Sequence, residues 1–235
     1  MEKLVYVLWR KTGASSADFQ QAMLGPVKEA LLQAGTRGLE INLADEDVAY
    51  AVSRRLTHLE PTLDGVVSFW LDISDDRQKH EAALGEVAQR LAGYLVAESI
   101  PLRNTTHAAP LGERTPGANL VGLLEQPTRL EREEWVRIWH HDHRIVARET
   151  QCTYEYLRHL VVRPLSPDAP PWAGIVFEGF PSDAVTDPMK WYLGDGDPKK
   201  RDANLARMIA SCQRFLDLDR VESHPMSQYL IQERL

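Results

Sequence analysis

The run Trp135-Val136-Arg137-Ile138-Trp139-His140-His141-Asp142-His143-Arg144 holds the densest set of side chains in the sequence that can do chemistry. Helical spacing puts Trp135, Trp139 and His143 on one face, bordered by Ile138 and Val146. His140, three residues before His143, lies close to that face, and Arg137 and His141 point to solvent. An imidazole beside indoles on the buried side of a helix titrates near neutrality and serves as a general acid or base. Burial lowers its pKa, and a nearby carboxylate raises it. His143 and His140 are therefore the candidate catalytic residues, and Trp135 and Trp139 the candidate walls of a substrate pocket. The competing reading is a core histidine satisfied by one hydrogen bond among packed aromatics.

Two further segments supply polar groups. In Tyr154-Glu155-Tyr156-Leu157-Arg158-His159, strand alternation puts Tyr156 and Arg158 on one face and Glu155 and His159 on the other. Either face could line a pocket, so Tyr156 and His159 are both candidate substrate-binding residues. Glu178 interrupts the apolar run Ile175-Val176-Phe177. A carboxylate there needs a partner if it is buried, and a histidine would serve. Glu178 joins the candidates on that ground; otherwise it is a solvated strand position. For buried His143, the candidate polar partners are Glu178, His140 and Tyr156. His140 and His143, spaced i, i+3, would also fit one metal ion. The third ligand would have to be His159, Glu178 or His224, and no spacing enforces that choice. The expectation is no metal. Gly-x-Gly-x-x-Gly, Walker A, Gly-x-Ser-x-Gly and His-Glu-x-x-His patterns are all absent. No cofactor is expected.

These residues must be positioned by a repeated framework. Leu4-Val5-Tyr6-Val7-Leu8-Trp9 resembles Leu120-Val121-Gly122-Leu123-Leu124, and each run leads through a polar turn into a helical pattern. Phe19 then matches Trp135, Met23 matches Trp139, and Val27 matches His143. Each half reads strand, helix, strand, strand, helix, strand. Strands are expected near 3–10, 38–43, 66–72 and 93–102, then 118–126, 154–162, 173–180 and 216–231. Helices are expected near 16–34 and 75–91, then 130–149 and 201–214. Ser16 and Asp18 are candidate caps for the first helix and Thr128 for its counterpart, and Gly35 and Gly38 end the first. The stretches 163–171 and 188–198 read as loops.

The order βαββαβ is that of a ferredoxin-like unit. Such a sheet carries helices on one face only, so its other face needs cover. The predicted fold is α+β: two ferredoxin-like βαββαβ repeats packed sheet to sheet as a pseudo-dimeric α+β barrel. The repeats span 1–105 and 118–235, joined by a linker at 106–117.

With 235 residues and 43% apolar content, the chain can bury a core without disulfides. Lys plus Arg number 27 against 34 Asp plus Glu, a net charge of −7. That balance disfavours nucleic acid and anionic membranes as partners. No apolar run spans a bilayer and the first residues lack a secretory pattern. The two cysteines, Cys152 and Cys212, are expected to be reduced in a cytoplasmic protein.

The pattern Trp135-x-x-x-Trp139-x-x-x-His143 on the first helix of such a unit resembles the EthD domain family of the dimeric α+β barrel superfamily. The resemblance covers 118–231 and is degenerate over 1–105, where Val27 replaces the histidine. It implies a cofactor-independent lyase or dehydratase, or an isomerase or cyclase, acting on a small aromatic or polyketide-like compound. The alternative it implies is a non-catalytic small-molecule-binding or accessory protein of a degradation pathway. A homodimer is a further expectation.

Overall fold

The computed structural model describes residues 1–235. Eight strands carry the chain: β1 (Glu2–Arg10), β2 (Arg37–Leu43), β3 (Gly65–Leu71), β4 (Ala88–Leu102), β5 (Ala118–Glu125), β6 (Glu155–Pro164), β7 (Trp172–Phe180) and β8 (Glu222–Leu230). They close into one barrel in the order β1-β3-β2-β8-β5-β7-β6-β4, with every neighbouring pair antiparallel. Within each half the strands run fourth, first, third, second. The halves meet along two hydrogen-bonded seams, β2 with β8 and β4 with β6. Edge pairing closes the barrel, so no strand is left with an open edge.

Alternation along the strands sorts the side chains into two layers. Val5, Val7, Trp9, Val66, Val121, Leu157, Phe177 and Met226 pack inside the barrel. Outside, the first half packs Leu4, Tyr6 and Leu8 against Phe19, Met23, Val27 and Leu31 of the helical segment α1 (16–33). Helix α2 (Gln78–Gly85) adds Leu84 to that layer. The second half packs Tyr156 and Val176 beneath Trp135, Ile138, Trp139 and Ala147 of segment α3 (132–150). Met208 of α4 (Pro198–Gln213) and Phe215 beyond it join them.

Both long helical segments widen at the same place. Met23–Val27 of α1 and Ile138–His143 of α3 are π-helical turns. Gly25 and Pro26 account for the first, since proline removes a backbone donor from the ladder.

The caps differ from expectation. Ser15, not Ser16, caps α1, in a capping box with Asp18. Glu131 precedes α3 and Thr128 does not cap it, because the turn 127–130 lies outside the helix. Strand β4 starts at Ala88 because α2 ends at Gly85, earlier than the expected 91. The last strand starts at Glu222, and the expected loop at 188–198 begins with a helical turn, Pro188–Trp191, capped by Asp187. Residues 103–117 form no long element and run beside β8, where Thr115 N donates to Gln228 O at 2.8 Å. No helix is long and apolar enough to cross a membrane.

Candidate functional site

The aromatic stripe of α3 faces the outer surface of the barrel. Trp135 and Trp139 are fully buried, with ring centroids 5.0 Å apart. Both indole N–H groups find acceptors inside the protein. Trp135 Nε1 donates to Phe215 O at 2.9 Å, and Trp139 Nε1 donates to the Tyr156 hydroxyl at 3.2 Å. The indoles rest directly on β7 at Gly174, where an added Cβ would stand 2.6 Å from the Trp139 ring.

His143 lies one turn further along and is 8% exposed. Its Nδ1 shares a 3.0 Å hydrogen bond with Ser211 Oγ of α4, and its ring packs on Phe215 at 4.7 Å. None of the three expected partners fills that role. Glu178, His140 and Tyr156 all lie on the same side of the barrel, but a serine 68 residues away supplies the bond. Burial first, and then the Arg158 guanidinium, push the His143 imidazole down to about 4, so it is neutral at pH 7. His140 is likewise pushed down to about 4 by burial, with help from Arg158. Its Nε2 is buried without a partner, and its ring meets Trp139 edge-on at 4.6 Å.

Strand β6 divides its side chains as alternation requires. Tyr156 and Arg158 face α3. His159 and Glu155 face the barrel interior, where His159 Nε2 meets Glu98 at 3.0 Å and its ring packs on Phe177. His159 is therefore separated from the indole side by the sheet and does not line the same pocket as Tyr156. His224 also faces inward, paired with Glu222 at 2.9 Å. Neither histidine can join His140 and His143 on one ion, and no three His, Cys, Asp or Glu side chains converge in ligating geometry.

Glu178 stands directly across from Tyr156 in the β6–β7 ladder, on the helix-covered face. It is half-buried and pairs with no histidine. Burial pushes its carboxyl up to about 7. Its charge is felt by Tyr156 and by the Cys212 thiol of α4, which is itself pushed up to about 12, chiefly by burial. Ser211, Cys212 and Phe215 were not among the sequence candidates. Ser211 and Cys212 come from α4 and Phe215 from the turn after it, and no local pattern encodes their contacts with α3.

No protein-family model matches the chain, and no curated protein matches it. Solved structures do resemble it. An anthrone oxidase-like protein aligns with a TM-score of 0.54 at 8% identity, over 100% of this chain and 94% of that one. A proposed monooxygenase from Fusobacterium nucleatum aligns with a TM-score of 0.57 at 11% identity, over 99% of this chain and 94% of that one. Another from Lactobacillus acidophilus gives 0.50 at 7% identity, covering 98% and 96%. These likenesses show a shared fold, which in this chain is a closed antiparallel barrel of eight strands with helices on its outer face.

Proposed function

We propose that the chain processes a small aromatic or polyketide-like compound by cofactor-independent proton transfer. The site lies on the helix-covered face of its second half. In this reading each half is a ferredoxin-like, EthD-like unit, and only the second carries chemistry. One observation supports it above the others: Glu178, the cross-strand neighbour of Tyr156, is a carboxyl whose pKa is pushed up to about 7 with no internal partner. A carboxyl at that value is populated in both forms near neutral pH, as a general acid–base group needs to be. It would take a proton from a C–H or O–H of the substrate and return it to another atom. Returned to carbon, the proton gives an isomerisation. Returned to a departing hydroxyl, it gives water and a dehydration.

His143, neutral and held by Ser211, serves in this reading as a positioning residue. Trp135 and Trp139 form the wall. That one structural neighbour is named for a likeness to anthrone oxidase agrees with an aromatic compound. The second reading, a binding or accessory protein without turnover, is favoured by the indole packing. Both N–H groups are used internally and Gly174 is covered by the rings.

The test is a panel of anthrones and hydroxynaphthalenes, followed by absorbance and by solvent deuterium exchange at carbon. Turnover or exchange that rises through pH 7 and is lost in Glu178→Gln is the expected result. Binding without turnover or exchange across the panel selects the accessory reading.

A further inference from the structure

Among the lysines and arginines, two side chains are buried from solvent, Lys3 at 1% and Arg158 at 6% exposure. Burying a cation is costly unless an anion accompanies it. Lys3 has one: Glu98 lies 3.3 Å away. Arg158 has none. It takes part in no ion pair, and its hydrogen bonds go to neutral acceptors. Nε donates to Ser99 Oγ at 3.1 Å and Nη1 to His140 O at 2.9 Å. Nη2 donates to nothing in the protein. The Tyr156 ring, 5.8 Å from the guanidinium carbon, adds only the weak attraction of a π face.

The surroundings do not neutralise this charge. His140 and His143 are both disfavoured as cations by Arg158, so the imidazoles stay neutral beside it. Glu178 lies across from Tyr156, two residues back along β6, and does not reach the guanidinium. Arg158 Nη2 is open to solvent, and near it His140 Nε2 is buried without a partner. The same His140 lines an open groove of about 740 Å³ on the outer side of α3, with Arg132, Val136, Arg137, His141 and a single acid, Glu133. The charged lining of the groove is mainly basic, and Arg158 itself is not part of it.

We infer that Arg158 and His140 form an oxyanion subsite for a small aromatic anion, an aryl carboxylate or phenolate, entering along the groove beside α3. A guanidinium fork with a free Nη2 matches the two oxygens of a carboxylate, and an imidazole Nε2–H would supply a further donor. The ring of the ligand would lie against Val136 in the groove. The π-helical turn takes part in this arrangement, because the carbonyl that aims Arg158 belongs to His140 within it. The inference rests on the proposed function only for the aromatic character of the ligand. Its charge follows from Arg158.

The probe is 2-naphthoate, compared with neutral 2-naphthalenecarboxamide and with 2-naphthol on either side of its ionisation. Binding is followed by calorimetry and by quenching of indole fluorescence, since Trp139 contacts His140. The expected result is at least tenfold tighter binding of the carboxylate than of the amide. Arg158→Met should abolish that preference and Arg158→Lys should keep part of it. His140→Phe should weaken the anion several-fold while sparing the amide. Tighter binding of naphthol only above its ionisation would assign the subsite to phenolates. Equal binding of acid and amide, or a carboxylate preference that survives in Arg158→Met, would overturn the inference. So would no binding of either anion at millimolar concentration. If Arg158→Met does not fold, Arg158→Lys and His140→Phe carry the same comparison. Glu178→Gln separates the two ideas: it should bind naphthoate as wild type does, whether or not it turns over any substrate.

Discussion

Glu178 and His143 meet the same problem, loss of water, and answer it in opposite directions. The Glu178 carboxyl is raised from its ordinary value to about 7. Between pH 4.5 and 7 the folded chain therefore holds a proton that the unfolded chain releases, and stability falls as pH rises through that window. Glu178→Gln should raise stability at pH 8 by about 1–2 kcal/mol, allowing for partial exposure, and change little at pH 4. Where the chain has activity, the same variant should lose it by about 10²–10⁴-fold. Chemical denaturation at the two pH values reads the first effect; a variant less stable than wild type at pH 8 would show that the carboxylate is well solvated. For His143 the sign reverses. Its folded value is lowered to about 4, so the unfolded chain takes up the proton first as pH falls below 6.5. His143→Ala should cost about 2–4 kcal/mol at pH 7, from the lost ring packing and the bond to Ser211. The gap to wild type should narrow between pH 6.5 and 4. A gap that stays constant over that range would mean His143 is not desolvated. Its place on the buried face was legible from helical spacing alone. Its partner was not, because Ser211 arrives from another helix.

At the scale of elements, periodicity carried the strands and the two long helical segments to within a few residues. It missed what depends on fit between elements. The period of 3.6 placed Trp135, Trp139 and His143 together, but it gave no sign of the π-helical turn in which the His140 carbonyl accepts from Arg158. Alternation in β6 separated Tyr156 from His159 correctly, yet it could not say which face met α3. Gly174 shows the same limit. In the sequence it is one more glycine in a strand; in the fold it is where two indoles lie against the backbone. Gly174→Ala would place Cβ 2.6 Å from Trp139 and 3.2 Å from Trp135. The rings are pinned by their N–H bonds, so the clash should cost about 1–3 kcal/mol. Gly122 is the control, since its nearest neighbour would be a Val176 carbon at 3.5 Å. Thermal melts of the two alanine variants check this. Equal melting temperatures would mean that the indole layer yields.

For the whole molecule, the barrel is held shut at one end by charge as well as by its seams. The apolar interior gives way there to Glu40, Asn42, Asn119, Glu155 and Gln228, all buried, with Arg234 reaching in from the C-terminal segment. Gln228 Nε2 donates across the barrel to Glu155 at 2.7 Å and to Glu40 at 3.0 Å, while Asn119 Nδ2 donates to Asn42 Oδ1 at 2.7 Å. Arg234 pairs with both carboxylates, at 2.8 Å to Glu40 and more closely to Glu155. These two acids come from different halves, and the arginine lies 194 residues from Glu40 and 79 from Glu155. No repeat or local pattern announces such a junction, which is why the sequence points to closure but not to this lock. Burial alone would raise the Glu40 carboxyl; Arg234 and Lys3 outweigh it and hold the group below its ordinary value. The stability this provides is present above pH 4.5 and is lost as pH falls below it. Arg234→Met leaves two buried carboxylates without their cation and should cost about 3–5 kcal/mol at pH 7. The sign of the pH dependence should also invert: without the arginine, protonating Glu40 relieves the burial, so the variant should gain stability on acidification from pH 7 to 5, where wild type gains none from this group. Adding Glu40→Gln to the arginine variant should recover part of the loss, because the amide needs no counter-ion. Urea unfolding of the three chains at both pH values decides the matter. An arginine variant as stable as wild type at pH 7 would show that the barrel end is wet and that its seams, not the Arg234 lock, hold the halves together.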